Sequence, residues 1–164
     1  MATRRKIVPS IVPSVLPSID PRFAGFPLRV GRSPIHRFGV FAVRTIPPGR
    51  KVIEHTGERL NMRQARAREK KNLRRGGTRI DMFCGVNRYW IVDGAVGGSG
   101  AERINHCCDP NLSTRKIRGH VLYFSQRRIR PGEELTVDYR FPAKADRVVC
   151  RCGSPKCRGI MNRK

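Results

Sequence analysis

The chain has 164 residues, of which 35 are Lys or Arg and 12 are Asp or Glu, so its formal net charge is +23. The isoelectric point is about 11.4. This length suits one domain, and the 38% of hydrophobic residues allow one modest core. The composition excludes collagen, coiled coil and acidic disorder, and no apolar run approaches the roughly 20 residues that span a bilayer. We therefore predict an intracellular protein with no membrane partner and no cleaved signal.

The positive charge predicts a polyanionic neighbour, such as nucleic acid or an acidic surface. Residues 31–164 carry 30 basic and 11 acidic side chains, a balance of +19. A surface that is charged only for solubility is the alternative, so charge indicates a class of partner and no chemistry.

The first 25 residues are set apart by a repeat of apolar residues with proline and serine. Val-Pro-Ser occurs at 8–10 and 12–14, and Leu-Pro-Ser follows at 16–18. Because proline fixes φ and lacks a backbone donor, residues 1–25 are predicted to be extended. Two arrangements are open: an arm that lies on the domain, or an unfolded tail.

From Leu28 onward, short apolar runs alternate with turn residues such as Pro131-Gly132, which is typical of β-strands. We predict strands at 40–43, 51–55, 80–83, 89–92, 120–125 and 135–139. Many short strands and little helix predict a mostly β fold.

One helix is predicted from Met62 to Leu73. Asn61 and Gln64 have the spacing of a capping box, and Gly76-Gly77 ends the run of helix-forming residues. The stretch Arg59–Arg79 holds nine basic residues and one acid. Two readings are open, a contact with nucleic-acid phosphates and a solvated charged face.

Six cysteines could form three disulfides in a secreted protein. With no signal sequence, the spacing of Cys150, Cys152 and Cys157 instead favours metal binding. Three thiolates from one loop leave a tetrahedral structural zinc site in need of a fourth ligand from elsewhere in the chain.

Four segments in chain order resemble the SET-domain protein lysine methyltransferases and their cysteine-rich post-SET segment. They read IHRFGVFA at 35–42, RINHCCDPN at 103–111, PGEELTVDY at 131–139 and CRCGSPKCRG at 150–159. The resemblance implies short curved sheets with a pseudoknot-like threading and few short helices. It divides the chain into the arm at 1–25, a SET domain at 26–141 and a zinc-binding post-SET segment at 142–164.

The resemblance also implies the fourth zinc ligand. In the family, the cysteine of an Asn-His-x-Cys motif completes the site, and Cys108 holds that position. Cys107 is adjacent, and the sequence alone does not fully exclude it. A structural zinc ion on Cys108, Cys150, Cys152 and Cys157 would pin the C-terminal segment beside the active site.

The cofactor that the resemblance implies is S-adenosylmethionine. Asn105 and His106 match family positions that hold its amino-acid and adenine ends. Arg37, Phe38 and Gly39 match a Gly-x-Gly turn that approaches the cofactor. Arg37 replaces the first glycine, so the backbone there needs a different φ or a different path. Alternatively, the Arg37 side chain approaches the cofactor carboxylate.

The implied reaction transfers a methyl group from a sulfonium to a neutral lysine amine. A lysine amine has a pKa near 10.4, so at neutral pH it must first lose a proton. A dry channel and the nearby sulfonium charge both disfavour the ammonium form, which helps this deprotonation without a dedicated base. Tyr139 matches the closing tyrosine of the family motif, whose hydroxyl orients the amine and borders both cofactor and methyl-transfer pore. It is our predicted catalytic residue, and a half-buried core aromatic is the alternative.

Two predicted substrate-channel positions depart from the family pattern. Val137 stands where the family often has Phe or Tyr, which indicates room for dimethyl- or trimethyl-lysine. Asp81 stands where the family has a channel tyrosine, so it either steers the lysine ammonium or impairs catalysis. Residues 98–103 likewise depart from the usual Gly-Asn-x-x-Arg-Phe.

The sequence thus predicts a protein-lysine N-methyltransferase that acts on a histone, a histone-like protein or a ribosomal protein. A basic enzyme fits a substrate that already lies on nucleic acid. The expected location is the nucleus or chromosomes in a eukaryote, and the cytoplasm or nucleoid in a microbe. The alternative is a non-enzymatic basic zinc module that binds nucleic acid and has a degenerate cofactor site.

Overall fold

A computed structural model of the chain describes residues 18–74 and 82–163. Within them, the architecture is mostly β, as predicted, with ten short strands, one α-helix and one 3₁₀ turn. The strands are β1 Leu28–Arg32, β2 Phe38–Ala42, β3 Lys51–His55, β4 Glu58–Asn61, β5 Phe83–Gly85, β6 Trp90–Asp93, β7 Asn105–His106, β8 Leu112–Ile117, β9 His120–Ser125 and β10 Glu134–Val137. The helix α1 is Met62–Arg74, and the 3₁₀ turn is Ala101–Arg103. No helix in these ranges has the length and apolar character to cross a membrane.

The larger sheet has the strand order β1-β2-β10-β8-β9-β3, and β7 also pairs with β10. The last strand, β10, therefore lies between strands from the beginning and the later part of the chain. It is antiparallel to β2 and parallel to β7 and β8, with Thr136 opposite Asn105 and Val137 opposite His106. This pairing brings the residues that follow β10, including Tyr139, next to Asn105 and His106.

A smaller sheet, β4-β6-β5, carries the helix. The predicted capping box is present, because Asn61 N donates to Gln64 Oε1 and Gln64 N donates to Asn61 Oδ1, both at 2.9 Å. Arg68 on α1 reaches Asp93 at the end of β6, at 2.7 Å. The helix is thus fixed to the sheet mainly by polar contacts.

The core is one cluster that takes residues from both sheets. Fully buried apolar side chains include Val40, Ile53, Leu112, Val121 and Leu135. Strands β2, β3 and β10 bury consecutive residues, so side chains on both of their faces are covered, and such burial contributes about 25 cal/mol per Å² of apolar surface.

Residues 18–25 lie against the domain, which favours the arm over the tail for this part of the predicted segment. Gly25 N donates to Val52 O at 2.8 Å, Glu54 N donates to Phe23 O at 3.1 Å, and Asp20 N donates to Ser99 O at 2.9 Å. Residues 1–17 are outside the described residues.

The predicted strands at 51–55 and 120–125 agree with β3 and β9, while β2, β6 and β10 differ from the predicted 40–43, 89–92 and 135–139 by one or two residues at both ends. Residues 80 and 81 of the predicted strand at 80–83 are outside the described residues. Strand β8 was not predicted because its residues after Leu112 are polar or exposed. Strand β8 is held in place by antiparallel pairing with β9. The two strands are joined by a two-residue turn, Arg118-Gly119, in which both φ angles are positive.

Candidate functional site

Four thiols meet at the C-terminal end of the domain. The Sγ atoms of Cys108, Cys150, Cys152 and Cys157 all lie within 4.8 Å of one another. Cys107, the neighbour that the sequence did not exclude, is not one of these four. Its Sγ lies 3.4 Å from the carbonyl oxygen of Asp109, and its thiol also contacts the Cys152 side chain. The structure therefore brings together the set of four cysteines predicted from the sequence.

This arrangement fits a structural zinc ion. In a tetrahedral site with Zn–S bonds of about 2.3 Å, sulfur atoms are about 3.8 Å apart. Cys108 Sγ and Cys150 Sγ are 3.6 Å apart. Burial alone would raise the pKa of Cys152, but backbone hydrogen bonds at Cys108 and Ser154 help to lower it to about 6. The chemistry and spacing of the donor set are those of a Cys₄ site.

The cysteine loop is fastened to the segment after β10, which carries the predicted catalytic tyrosine. Arg158 forms two hydrogen bonds with Asp138, at 3.0 and 2.9 Å. Burial alone would raise the pKa of Asp138, but the Arg158 guanidinium outweighs it and holds this pKa below its usual range. A further bridge joins Phe141 to Asn162. These contacts place the C-terminal segment directly beside Tyr139.

A first cavity, of about 330 Å³, lies where this segment faces the domain. This volume is in the range of small-molecule pockets. Its walls come from the turn between β1 and β2, from the start of β2, from Met82, from β7 and from the 3₁₀ turn. Tyr139 and Phe141 also line it, together with Val148, Val149, Arg151 and Met161 of the C-terminal segment. We call it the donor cavity. Arg37, Phe38, Asn105, His106 and Tyr139 all line it, as their predicted roles require.

Asn105 and His106 are both buried at the base of the donor cavity. The side-chain nitrogen of Asn105 donates to Phe38 O at 2.9 Å and to Glu134 Oε1 at 2.8 Å, so it fixes the turn before β2. His106 Nδ1 accepts from Tyr139 N at 3.1 Å. Burial lowers the pKa of His106, which keeps its ring neutral near pH 7.

Arg37 has a positive φ of 40°, so a side chain does occupy the left-handed conformation that glycine adopts more easily. Gly39 does not line the donor cavity. A Cβ atom there would collide with the Glu134 carboxylate and approach Ser33 Cβ to 3.1 Å. Close packing therefore requires glycine at position 39. Its cofactor contact stays a prediction.

A second cavity, of about 720 Å³, adjoins the first, and we call it the acceptor cavity. Glu102, Tyr139 and Phe141 line both cavities. The Tyr139 hydroxyl donates to Ile104 O at 2.9 Å, and its ring packs against the rings of His106 and Phe141. Tyr139 is therefore held at the boundary between the two cavities.

The acceptor cavity is also lined by polar residues that were not predicted, among them His55, Cys84 and Tyr123. The Tyr123 hydroxyl lies 3.4 Å from His55 Nδ1, and both residues are 5% exposed. Burial lowers the pKa of His55 to about 4 and raises that of Tyr123 well above its usual value. Tyr123 lies in the predicted strand at 120–125, but nothing in the sequence indicated that it meets a cavity.

The two predicted substrate-channel residues are placed differently. Val137 is buried and lines a third cavity, of about 320 Å³, together with Leu112 and Thr114, and it is not in the wall of the acceptor cavity. Asp81 lies outside the described residues. Both channel roles stay predictions.

The basic helix exposes most of its charge. Arg68 is paired with Glu58 and Asp93, and Arg59 donates to Gly119 O at 2.6 Å. Arg75 and Arg79 are outside the described residues. The exposed basic residues of the helix are Arg63, Arg66, Lys70, Lys71 and Arg74.

Comparison with known proteins gives one consistent result. The sequence model of the SET domain family matches residues 37–140. The chain is 41% identical over 139 residues to an H3 lysine-4 specific histone-lysine N-methyltransferase of Schizosaccharomyces pombe, an alignment that covers 82% of this chain and 15% of that protein. It is 36% identical over 143 residues to the protein of the same description in Saccharomyces cerevisiae, covering 83% and 13%. It is 40% identical over 142 residues to histone-lysine N-methyltransferase TRX1 of Oryza sativa subsp. japonica, covering 82% and 14%. The chain thus spans between 13% and 15% of the length of these relatives.

Proposed function

The chain belongs to the SET-domain family, and we propose that it is an S-adenosylmethionine-dependent protein-lysine N-methyltransferase. The SET domain would comprise residues 26–141, and residues 142–164 would form a post-SET segment with one structural zinc ion. The observation that carries the proposal is the pair of adjoining cavities with Tyr139 at their boundary. Such an arrangement suits a reaction between two molecules that enter by separate routes and meet in line.

S-adenosylmethionine, when bound, supplies an activated methyl group. The residues that would hold it are Arg37, Phe38, Asn105, His106 and Tyr139 in the donor cavity. Phe38 offers an apolar surface for the adenine, and Arg37 offers a cation for the carboxylate. The volume of the cavity and this mixture of groups support the assignment.

The role of Tyr139 would be to orient the lysine amine. A hydroxyl has one donor and two acceptor lone pairs, so Tyr139 can donate to Ile104 O and accept from an amine at the same time. The neighbouring wall of His55 and Tyr123 carries no charge at neutral pH and is therefore suited to a neutral amine.

We propose a histone, such as the H3 tail named for the yeast relatives, or another basic nucleic-acid-associated protein as the substrate. Such a substrate repels a free enzyme of charge +23. Recruitment to the nucleic acid on which the substrate lies removes this obstacle. The enzyme would accordingly act on chromatin in a eukaryote or in the nucleoid of a microbe.

Incubation with labelled S-adenosylmethionine and intact histones, free or assembled on DNA, tests the proposal. We expect wild-type protein to label a lysine and Tyr139→Phe to lose at least about 100-fold in rate, because orientation contributes several kcal/mol to such reactions. Tyr89→Phe is the matched control, since Tyr89 is 56% exposed and lines neither cavity. Failure of the wild-type protein to bind the donor would contradict the proposal.

Mass spectrometry of the product then addresses the degree of methylation. We propose dimethyl- or trimethyl-lysine on the basis of the family position of Val137, where the family often has the larger Phe or Tyr, although Val137 lines the third cavity and not the acceptor cavity. A product that stops at monomethyl-lysine with excess donor would refute this part alone.

The exposed cations of α1 support a second role, contact with nucleic-acid phosphates. Binding to duplex DNA is expected to fall about 10-fold or more between 50 and 200 mM salt if several phosphates are neutralised. A variant with Lys70, Lys71 and Arg74 changed to Gln should show a weaker salt dependence. Tight DNA binding without any donor binding would favour the non-enzymatic zinc module.

A further inference from the structure

Glu134, the first residue of β10, carries a half-buried carboxyl group that has no cationic partner among the described residues. Its side-chain partners are two neutral groups. Ser33 Oγ donates to its two oxygens at 2.8 and 3.0 Å, and Asn105 Nδ2 donates to Oε1 at 2.8 Å. A carboxylate that is withdrawn from water is usually paired with a cation, because an isolated charge is costly to bury. Glu134 has no role in the function as proposed so far.

The carboxylate is fastened to the turn between β1 and β2. Ser33 begins this turn, and its Oγ also accepts from Ile35 N at 3.0 Å. Gly39 leaves the space that the carboxylate occupies, because a Cβ atom at position 39 would overlap it. Since the turn forms one wall of the donor cavity, Glu134 supports that wall from behind without lining the cavity itself.

Glu134 also determines which end of the Asn105 amide is free. A carboxylate can only accept hydrogen bonds, and so can the carbonyl oxygen of Phe38, to which Asn105 Nδ2 donates at 2.9 Å. These two acceptors use both hydrogens of Nδ2, and no group in the described part of the chain donates to Asn105 Oδ1. Asn105 lines the donor cavity, so Oδ1 is the polar atom that its side chain offers to a ligand there.

An amide oxygen in this position is matched to a cationic donor. The negative charge of Glu134 polarises the Asn105 amide and makes Oδ1 a stronger acceptor, because hydrogen bonds in a chain strengthen one another. An ammonium group donates hydrogen bonds and cannot accept them, so it suits Oδ1 and would be repelled by an amide nitrogen. It would also supply the positive charge that Glu134 lacks.

We propose that Glu134 is a positioning residue that acts through Asn105 to make the donor cavity selective for the α-ammonium group of the methyl donor. This inference rests on the proposed function, in which Arg37 would bind the carboxylate at the same end of the donor. The alternative partner for the ammonium is Glu102, whose carboxyl group lines the cavity directly. Glu102 is already engaged, because its Oε2 accepts from Gly100 N at 2.9 Å and its Oε1 lies 3.9 Å from Arg103 Nε.

Calorimetry with two ligands that lack the sulfonium charge tests the proposal. They are S-adenosylhomocysteine, which is the product of methyl transfer, and its analogue with hydrogen in place of the α-amino group. We expect the wild-type protein to bind the analogue about 30-fold more weakly, since a hydrogen bond to a charged group is lost. In Glu134→Gln this ratio should fall to about threefold, because glutamine is neutral and can donate as well as accept, so it neither polarises nor fixes the Asn105 amide.

The neighbouring carboxyl group provides the matched control. Glu133 is also half-buried, but it accepts from Asn111 Nδ2 and pairs with Arg127, and it lines neither cavity. Glu133→Gln should therefore keep the wild-type ratio, and urea unfolding of both variants measures the structural cost that they share. Gly39→Ala is an independent second variant, because its added methyl group displaces the Glu134 carboxylate. It should lower the ratio as Glu134→Gln does.

The outcomes separate this inference from the proposed function. If Glu134→Gln weakens both ligands equally and keeps the wild-type ratio, Glu134 only stabilises the turn and the inference is wrong. The inference is also wrong if Glu102→Gln lowers the ratio and Glu134→Gln does not, since the ammonium then lies on Glu102. A wild-type protein that binds neither S-adenosylmethionine nor S-adenosylhomocysteine would overturn the proposed function as well.

Discussion

The Nε2 atom of His106 lies 3.4 Å from Cys108 Sγ. Because Nδ1 of the same ring accepts from Tyr139 N, Nε2 carries the proton in the neutral ring and donates it toward the sulfur. One imidazole therefore links the cysteine cluster, the donor cavity and the backbone of the predicted catalytic tyrosine. The cysteine cluster and the donor cavity are thus connected through one side chain.

Removal of zinc should therefore weaken donor binding. A chelator is expected to disorder the C-terminal segment, of which Val148, Val149, Arg151 and Met161 line the donor cavity, and to reduce affinity for S-adenosylmethionine by at least about 10-fold. Calorimetry with and without added zinc measures this effect. An unchanged Kd in metal-free protein would show that the cluster does not support the cavity.

Substitutions of the adjacent residues Cys107 and Cys108 form a matched pair that tests the proposed zinc site. Cys108→Ser should lose zinc, measured by atomic absorption, because it removes one of four thiolates. Cys107→Ser should keep one zinc per chain, because Cys107 is outside the set of four mutually close thiols, although its thiol contacts Cys152 as well as the backbone of Asp109. The reverse pattern would assign the fourth ligand to Cys107.

The ion pair between Arg158 and Asp138 should contribute measurably to stability. Both side chains are only about one-fifth exposed, at 21% and 20%, and they share two hydrogen bonds. Arg158→Gln is expected to cost about 1 to 2 kcal/mol in the free energy of unfolding. Lys156→Gln in the same loop breaks an exposed pair with Asp109 and should cost less than about 0.5 kcal/mol. Equal losses in urea unfolding would contradict this ranking.

His55 should make stability depend on pH. Its pKa is about 4 in the folded protein against 6.5 when exposed, because burial disfavours the charged ring. Between pH 6.5 and 4, the unfolded chain therefore binds a proton at His55 that the folded protein does not bind. The stabilisation is fully present above pH 6.5 and is lost as the pH falls toward 4, by about 3 kcal/mol in total. In urea unfolding, His55→Asn should lose this dependence between pH 6.5 and 4.5, and a slope as steep as that of wild type would refute the assignment.

A substitution of Tyr123 tests the two cavities separately, because Tyr123 lines the acceptor cavity and not the donor cavity. Tyr123→Phe should raise the KM for the peptide severalfold and leave the Kd of S-adenosylmethionine unchanged. The lost contact with His55 should cost about 1 kcal/mol in stability. A parallel loss of donor affinity would mean that the cavities do not act independently.

Local signals in the sequence were sufficient for the elements that depend on near neighbours. The helix start at Asn61 and Gln64 was correct because a capping box involves residues three apart. The spacing of Cys150, Cys152 and Cys157 indicated a metal site for the same reason, and the family resemblance named Cys108. Strands β3 and β9 were correct because their apolar runs are continuous.

Only the tertiary structure decided what depends on distant pairing. Strand β8 is polar and is held by β9, and β10 lies between β2 and β8, so no local pattern encodes either position. The same pairing brings Glu102, Tyr123 and Tyr139 from three separate elements to one pair of cavities. The sequence by itself determined the family, the metal-binding residue types and the charge, since these are properties of composition and spacing. Which side chains border the reaction depends on contacts between residues far apart in the chain, and those exist only once it has folded.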